Sequence, residues 1–293
     1  MKDETRRAFI ILHFCVFLWG FTAILGNLIT LKETVLVWYR MGITSASLLL
    51  LPAFWKDLKK IKSDSVLQMA GIGVLVALHW VSFYGAIKYS VVSVALICLA
   101  TISLFTAIIE PLFFKSKIKI LEIISGIIVI LAMLLIFYAS GQYAIGIILG
   151  IISSLLAAIF TVLNKKMMET HDPVQVTCIE ISTGFVLLSV LLPIYGLLFP
   201  DTVFVPQKSD IVYLLILSLA CTSLPFVLSL QVLKHISAFS TNLAVNLEPV
   251  YGIILGIIIF KDHQHLSPEF YIGSAIILLV VFLNPLALKF FKS

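Results

Sequence analysis

The chain has 293 residues, 61% of them hydrophobic and 12% charged, with a mean hydropathy of +1.13 and a net charge of +5. That balance excludes a soluble globular domain and describes a multi-span membrane protein whose surroundings are the lipid bilayer. The basic excess sits in short segments between apolar runs and not on one face, so no nucleic-acid partner is expected.

Ten apolar segments of helical length follow one another, at about 8–28, 34–54, 67–87, 91–114, 120–138, 143–164, 173–198, 209–232, 237–260 and 268–288. A bilayer crossing needs about 20 residues at 1.5 Å rise per residue, so each suffices for a tilted span. The first follows Lys2, Arg6 and Arg7, exceeds a signal-peptide core and lacks a small-x-small cleavage site, which makes it an uncleaved span. The predicted fold is an all-α polytopic bundle with short connections and no soluble domain. With the N-terminus placed in the cytoplasm, the inner segments carry fifteen lysines and arginines and the outer ones four. Positive residues favour the cytoplasmic side, so both termini are predicted inside, in the cell (inner) membrane.

The two halves repeat. Ala86-Ile87-Lys88-Tyr89-Ser90 closes span 3 and Val232-Leu233-Lys234-His235-Ile236 closes span 8, an offset of 146 that also carries Lys115 onto Lys261. Gly126 in span 5 falls within one residue of Gly273 in span 10 at the same offset. Spans 1–5 (residues 1–140) therefore match spans 6–10 (residues 141–293). Five is odd, so the second copy enters the membrane the other way up, the inverted-repeat plan of alternating-access carriers.

Polar groups inside the spans are the candidate functional residues, because an ionisable side chain at mid-membrane costs several kcal/mol unless it faces protein or water. Glu248 lies near the middle of span 9, beside Pro249, which removes a backbone donor and frees the Val245 carbonyl. On an unbroken helix Asn242, Asn246 and Pro249 share one stripe and Thr241, Glu248 and Gly252 another, and the two cannot face one cavity. One stripe then contacts substrate while the other packs. His79 and Trp80 lie about a dozen residues into span 3, with Tyr84 one turn beyond Trp80 in an aromatic wall. His79 is either a satisfied core histidine or half of a proton-carrying couple with Glu248. The offset sets Pro225 opposite His79 and Ser103 opposite Pro249.

Arg40 and Glu180 occupy near-equivalent places in spans 2 and 7, but inversion sets them on the order of 10–15 Å apart in depth. Each is expected to snorkel or to line its own vestibule. Glu110, beside Pro111, is expected to pair with lysines at a helix end. Gly146-Ile-Ile-Leu-Gly150 and Gly252-Ile-Ile-Leu-Gly256 have the spacing that lets helices approach closely, within the chain or across a dimer. Cys15, Cys98, Cys178 and Cys221 lie in apolar runs without paired spacing, so neither a disulfide framework nor a metal site is expected. No phosphate loop and no intramembrane protease motif occurs. No cofactor is called for.

Leu18-Trp19-Gly20, Trp38-Tyr39-Arg40, the segment from Phe83-Tyr84-Gly85 to Tyr89, Asn246-Leu247-Glu248-Pro249-Val250, and Gly273 with its apolar followers share an order and spacing. On these the chain resembles the ten-helix members of the EamA family, in the drug/metabolite transporter superfamily. The resemblance implies a secondary transporter of small metabolites, favours export, and sets a central cavity between spans 1, 3, 4, 6, 8 and 9. Its lining is then expected from Trp19, His79, Trp80, Tyr84, Ser103, Asn242, Asn246 and Glu248. An aromatic, sparsely charged cavity suits amino-acid-like or amphipathic solutes better than highly phosphorylated ones. Two departures stand out: Phe260-Lys261-Asp262-His263 replaces a usual Gly-Glu pair, and Thr101-Ile102-Ser103-Leu104 lacks a common proline, leaving open whether span 4 bends. An intramembrane enzyme and a lipid-handling protein are the competing classes.

Overall fold

A computed structural model describes residues 2–117, 120–139, 141–261 and 267–290. Asp262 and His263, named above, and Lys119 and Lys292, two of the fifteen inner basic residues, lie outside the described residues. The described part is helical: α1 (Lys2–Trp19), α2 (Thr22–Leu28), α3 (Glu33–Leu49), α4 (Pro52–Trp55), α5 (Ser63–Lys88), α6 (Val92–Leu99), α7 (Ile102–Phe114), α8 (Ile120–Ala139), α9 (Ala144–Met167) and α10 (Pro173–Leu198). Then come α11 (Lys208–Leu215), a π-helical stretch (Ile216–Ser223), α12 (Leu224–Leu233), α13 (Ala238–Val245), α14 (Glu248–Phe260) and α15 (Pro268–Phe290). Seven helical stretches are long and apolar enough to cross a membrane, and a bent pair raises this to eight among the described residues.

That pair is the second expected span. It ends at Leu49 and turns by 74° into Pro52–Lys60, short of the expected boundary at 54. Pro52 has no backbone donor and holds Leu51 extended, so the helix cannot run through.

The molecule turns its apolar side outward. Leu67, Leu112, Leu131, Val190, Leu197 and Ile258 are exposed, whereas Arg40, His79, Glu180, Asn242 and Glu248 are buried. Water would not tolerate an apolar surface so continuous; a hydrocarbon surrounding does, provided that polar groups find partners inside. The main core joins Val35, Leu36 and Met41 of α3 to Met69, Val76 and Ala77 of α5 and to Ile181 and Leu188 of α10.

Two helix pairs share a pattern. α13 and α14 have all four of their boundaries 146 residues after those of α6 and α7. Each pair breaks for two residues, at Ala100-Thr101 and at Asn246-Leu247, and each ends in a lysine with positive φ, Lys115 and Lys261. The second break has Pro249 in the first turn of α14, where a proline fits without loss. Span 4 bends without one. There Ala100, Thr101 and Leu104 donate to carbonyls three residues back, and the Cys98 carbonyl accepts from the hydroxyls of Thr101 at 2.7 Å and Ser154 of α9 at 2.9 Å. A hydroxyl on a neighbouring helix thus satisfies what the break exposes.

The small-residue motifs seat neighbours within the chain. A Cβ on Gly150 would lie 2.6 Å from Cys98 Cβ of α6, and one on Gly252 would lie 2.2 Å from Leu96 Cδ1. All four cysteines are free and buried.

Candidate functional site

A cavity of about 100 Å³ lies where the broken helices cross. It is smaller than the roughly 150 Å³ apolar cavity that takes up a benzene ring. Its lining includes Trp19 and Thr22 beside the α1–α2 break, Arg40 of α3, His79, Trp80 and Phe83 of α5, Phe160 and Asn164 of α9, Phe226 of α12, and Asn242 and Glu248 on either side of the α13–α14 break.

Arg40 is the centre of its polar network. Its Nε donates to Thr222 Oγ1 at 2.8 Å and its Nη1 to the Tyr84 hydroxyl at 2.9 Å. The guanidinium carbon lies 3.8 Å from the Trp80 ring centroid. Arg40 is only 3% exposed, so of the two expected alternatives it does not snorkel, and it lines a cavity that it shares with Glu248. The reason is local: the aromatic wall of Trp80 and Tyr84 supplies a π face and an acceptor at mid-depth, where water is not needed.

Thr222 reaches Arg40 because α11 passes into the π stretch. Within it the hydroxyls of Thr222 and Ser223 donate to carbonyls five residues back, at 2.6 and 3.0 Å. Pro225, which lacks a donor, follows directly. A wider turn of this kind rotates one residue inward relative to a regular helix.

His79 is held by Ser153 of α9, whose carbonyl and hydroxyl oxygens both lie 2.8 Å from Nδ1, and its ring packs on Phe83 and Phe160. The carboxyl of Glu248 meets Thr22 Oγ1 at 3.3 Å, and that hydroxyl also lies 2.7 Å from the Trp19 carbonyl oxygen. One hydroxyl proton serves only one of them. Among the described bonds His79 and Glu248 are not joined, although both face the cavity. No ion pair links Arg40 to Glu248 among the described residues, so the cavity carries one cation and one carboxyl apart from each other.

Of the sequence candidates, Trp19, His79, Trp80, Asn242 and Glu248 are brought together on the lining. Tyr84 stands behind it through Arg40, and Ser103 is buried with its hydroxyl turned to the Ala100 carbonyl. Asn246 sits in the break, buried, with neither side-chain atom bonded to protein. The two-stripe argument fails because the helix is not continuous: Thr241, Asn242 and Glu248 all line the same cavity. Asn242 donates to Thr106 Oγ1 of α7 at 2.7 Å, which ties the two broken pairs together.

The ends of the bundle differ. Ala8 and Leu12 of α1 pack with Val232 and Ile236, so the N-terminus shares its side with the end of α12. The cavity lining reaches toward that side, to Asn164, Leu233 and Thr241, each within three residues of a helix end. There Glu110 does not pair with Lys115. Its two carboxyl oxygens accept from the backbone N–H groups of Ala238 and Phe239, at 3.1 and 2.7 Å, and so cap α13. On the other side Asp210 accepts from the Thr30 N–H and hydroxyl at 2.9 and 2.7 Å, and Tyr195 donates to Glu33 at 2.8 Å. Lys88 donates to the Ile29 carbonyl there, as Lys165 does to the Leu233 carbonyl on the terminus side.

Sequence reading passed over Thr22, Phe160, Asn164 and Phe226 as lining residues, and placed Arg40 outside the site. The family model described as the EamA-like transporter family matches the chain twice, over residues 6–138 and 144–285. The chain belongs to the EamA-like transporter family. It is similar to an uncharacterized transporter of Clostridium kluyveri, 23% identical over 229 residues that cover 74% of this chain and 73% of the relative. It is also similar to one of Archaeoglobus fulgidus, 26% identical over 261 residues that cover 85% and 86% of the two chains. A solved crystal structure aligns with a TM-score of 0.67 at 13% identity, covering 96% of this chain and 98% of its own, a likeness of fold. An EamA-like transporter is a multi-pass membrane protein, and the apolar exterior described above agrees with that.

Proposed function

We propose that the chain is a secondary transporter that moves small amino-acid-like or amphipathic metabolites by alternating access, in the export direction and with proton coupling. The observation that carries this reading is the cavity itself: one guanidinium and one carboxyl face a common aromatic space at the crossing of two broken helix pairs. A zwitterion presents the complementary charges, with its carboxylate toward Arg40 and its ammonium toward Glu248, while Trp19, Phe160 and Phe226 take an apolar side chain. An intramembrane guanidinium or carboxyl without a direct ion partner is what a charged substrate needs.

In this reading the two family repeats are inverted halves of five spans each, ten in all, with both termini in the cytoplasm. The breaks at Ala100-Thr101 and Asn246-Leu247 are then the elbows about which the halves rock. The cavity lining extends toward the terminus side, so in this reading the conformation is the cytoplasm-directed one, its cavity contracted to about 100 Å³.

The test is uptake of a labelled amino-acid and metabolite panel into proteoliposomes, with and without a pH gradient, for wild type and Glu248→Gln. Flux of zwitterionic solutes is expected, reduced by Glu248→Gln. Exchange restricted to sugar phosphates would refute the substrate class, and absence of flux for every solute from folded protein would refute transport of metabolites.

A further inference from the structure

Behind the cavity lies a second buried carboxyl that the reading above does not use. Glu180 of α10 has no exposed surface, and its described bond is to Asn164 of α9, whose Nδ2 donates to Oε2 at 3.2 Å. The other oxygen of each group, Glu180 Oε1 and Asn164 Oδ1, is buried without a hydrogen-bond partner, as is Thr177 Oγ1 one turn earlier. Among the described residues no ion pair offsets a charge on Glu180: α5 presents Gly73, tight against the Glu180 backbone, while Ser45 of α3 is engaged with Ser182. Cys178 on its own helix lies against Ser182; near the start of α10 the Lys56 carbonyl is taken by Gln175, and Asp57 pairs with Lys60.

An ionised Glu180 would therefore hold a full charge on one neutral hydrogen bond, with two acceptor oxygens left facing no donor. That is among the costliest arrangements a protein interior can hold. A single proton removes both defects. Carried on Oε1, it cancels the charge and turns that oxygen into an O–H donor, and Asn164, already bonded to the other oxygen, has an acceptor without a partner. Asn164 is also part of the cavity lining. The residue that holds Glu180 is thus itself part of the cavity wall.

We infer that Glu180 is a proton-binding site of the transport cycle, loaded and emptied through Asn164 from the terminus side of the cavity. The site lies about 10 Å along α10 from Pro173, a depth that water in the open cavity reaches. Loading adds a proton to Oε1 and neutralises the carboxylate. Release returns the proton to cavity water, after which Asn164 has to turn toward solute or solvent to recover a donor for Oδ1. This inference rests on the transporter reading only for its place in a cycle; the protonation itself is testable without any solute.

Two measurements separate the cases. Infrared difference spectra of the protein in vesicles, recorded across a pH jump, should contain a carboxylic C=O band that disappears in Glu180→Gln and shifts in Asn164→Asp. Absence of that band from the difference spectrum would overturn the inference, because an acid that stays charged or stays protonated throughout the jump cancels. In proteoliposomes Glu180→Gln, which keeps an amide–amide pair with Asn164, should lose gradient-driven amino-acid flux while retaining solute exchange without a gradient. Gradient-driven flux equal to wild type in that variant would overturn the inference and leave the transporter reading intact. If wild type moves no solute, the transporter reading fails, and the infrared result still decides whether Glu180 binds an exchangeable proton.

Discussion

The guanidinium of Arg40 lies over Trp80, 3.8 Å from the ring centroid, at a depth where neither side chain reaches bulk water. A desolvated cation over an indole face contributes about 2 kcal/mol, and phenyl or phenol faces less. Trp80→Leu removes the π face and should lower the apparent melting temperature in detergent by several degrees, with Trp80→Phe intermediate. A fluorescence-detected thermal scan of the three proteins checks the order. Equal stabilities would mean that Arg40 rests on its hydrogen bonds alone.

Those bonds make a separate prediction. Thr222→Val leaves the Arg40 Nε donor without its acceptor at 2.8 Å, at a cost of about 1.5–3 kcal/mol for a bond to a charged group. Thr222→Ser keeps the hydroxyl and should recover most of it. Because Arg40 faces the cavity, Val but not Ser is also expected to raise the apparent KM for a zwitterionic solute, measured in the same vesicles.

The contact between α5 and α10 depends on the absence of one methyl group. A Cβ on Gly73 would lie 2.2 Å from the Glu180 carbonyl oxygen, whereas one on Gly71 meets nothing within 4 Å. Gly73→Ala should force the helices apart and destabilise by about 3 kcal/mol or more, as overpacking does. Gly71→Ala, two residues away on the same helix, should be neutral or stabilising by up to about 1 kcal/mol through helix propensity. Monodispersity on size exclusion and thermal stability will separate the two variants.

Glu110 caps the start of α13 with two hydrogen bonds from backbone donors. Glu110→Gln keeps one acceptor oxygen but loses the charge at the helix N-terminus, about 0.3–1 kcal/mol. Glu110→Ala loses the cap altogether, about 1–2 kcal/mol. The loss should show as faster amide hydrogen exchange over residues 238–245. Exchange unchanged in the Ala variant would assign the ordering of α13 to its own Ser237 cap.

Much of this architecture was legible in the sequence. Apolar length marked the seven or eight described stretches able to cross a membrane, the 146-residue offset seen in lysines and glycines returns in the boundaries of α6, α7, α13 and α14, and Pro249 announced one break. The break at Ala100-Thr101 was not legible, because it is satisfied by Ser154 from another helix and not by a residue of its own. Arg40 was misplaced for a similar reason. Its depth could be counted, but the decision between snorkelling and burial lay with Tyr84 and Thr222, residues 44 and 182 positions away. Stripe reasoning failed at Glu248 since it assumed an unbroken helix, although the proline that breaks it had been recognised.

The contracted cavity has a kinetic consequence. A space of about 100 Å³ falls short of the roughly 150 Å³ that takes up a benzene ring, so a solute with a bulky side chain must wait for the helices to part before it can enter. Association then has a ceiling set by that opening. The observed rate of binding, followed through the fluorescence of Trp19 and Trp80, should level off as solute concentration rises, instead of climbing in proportion to it.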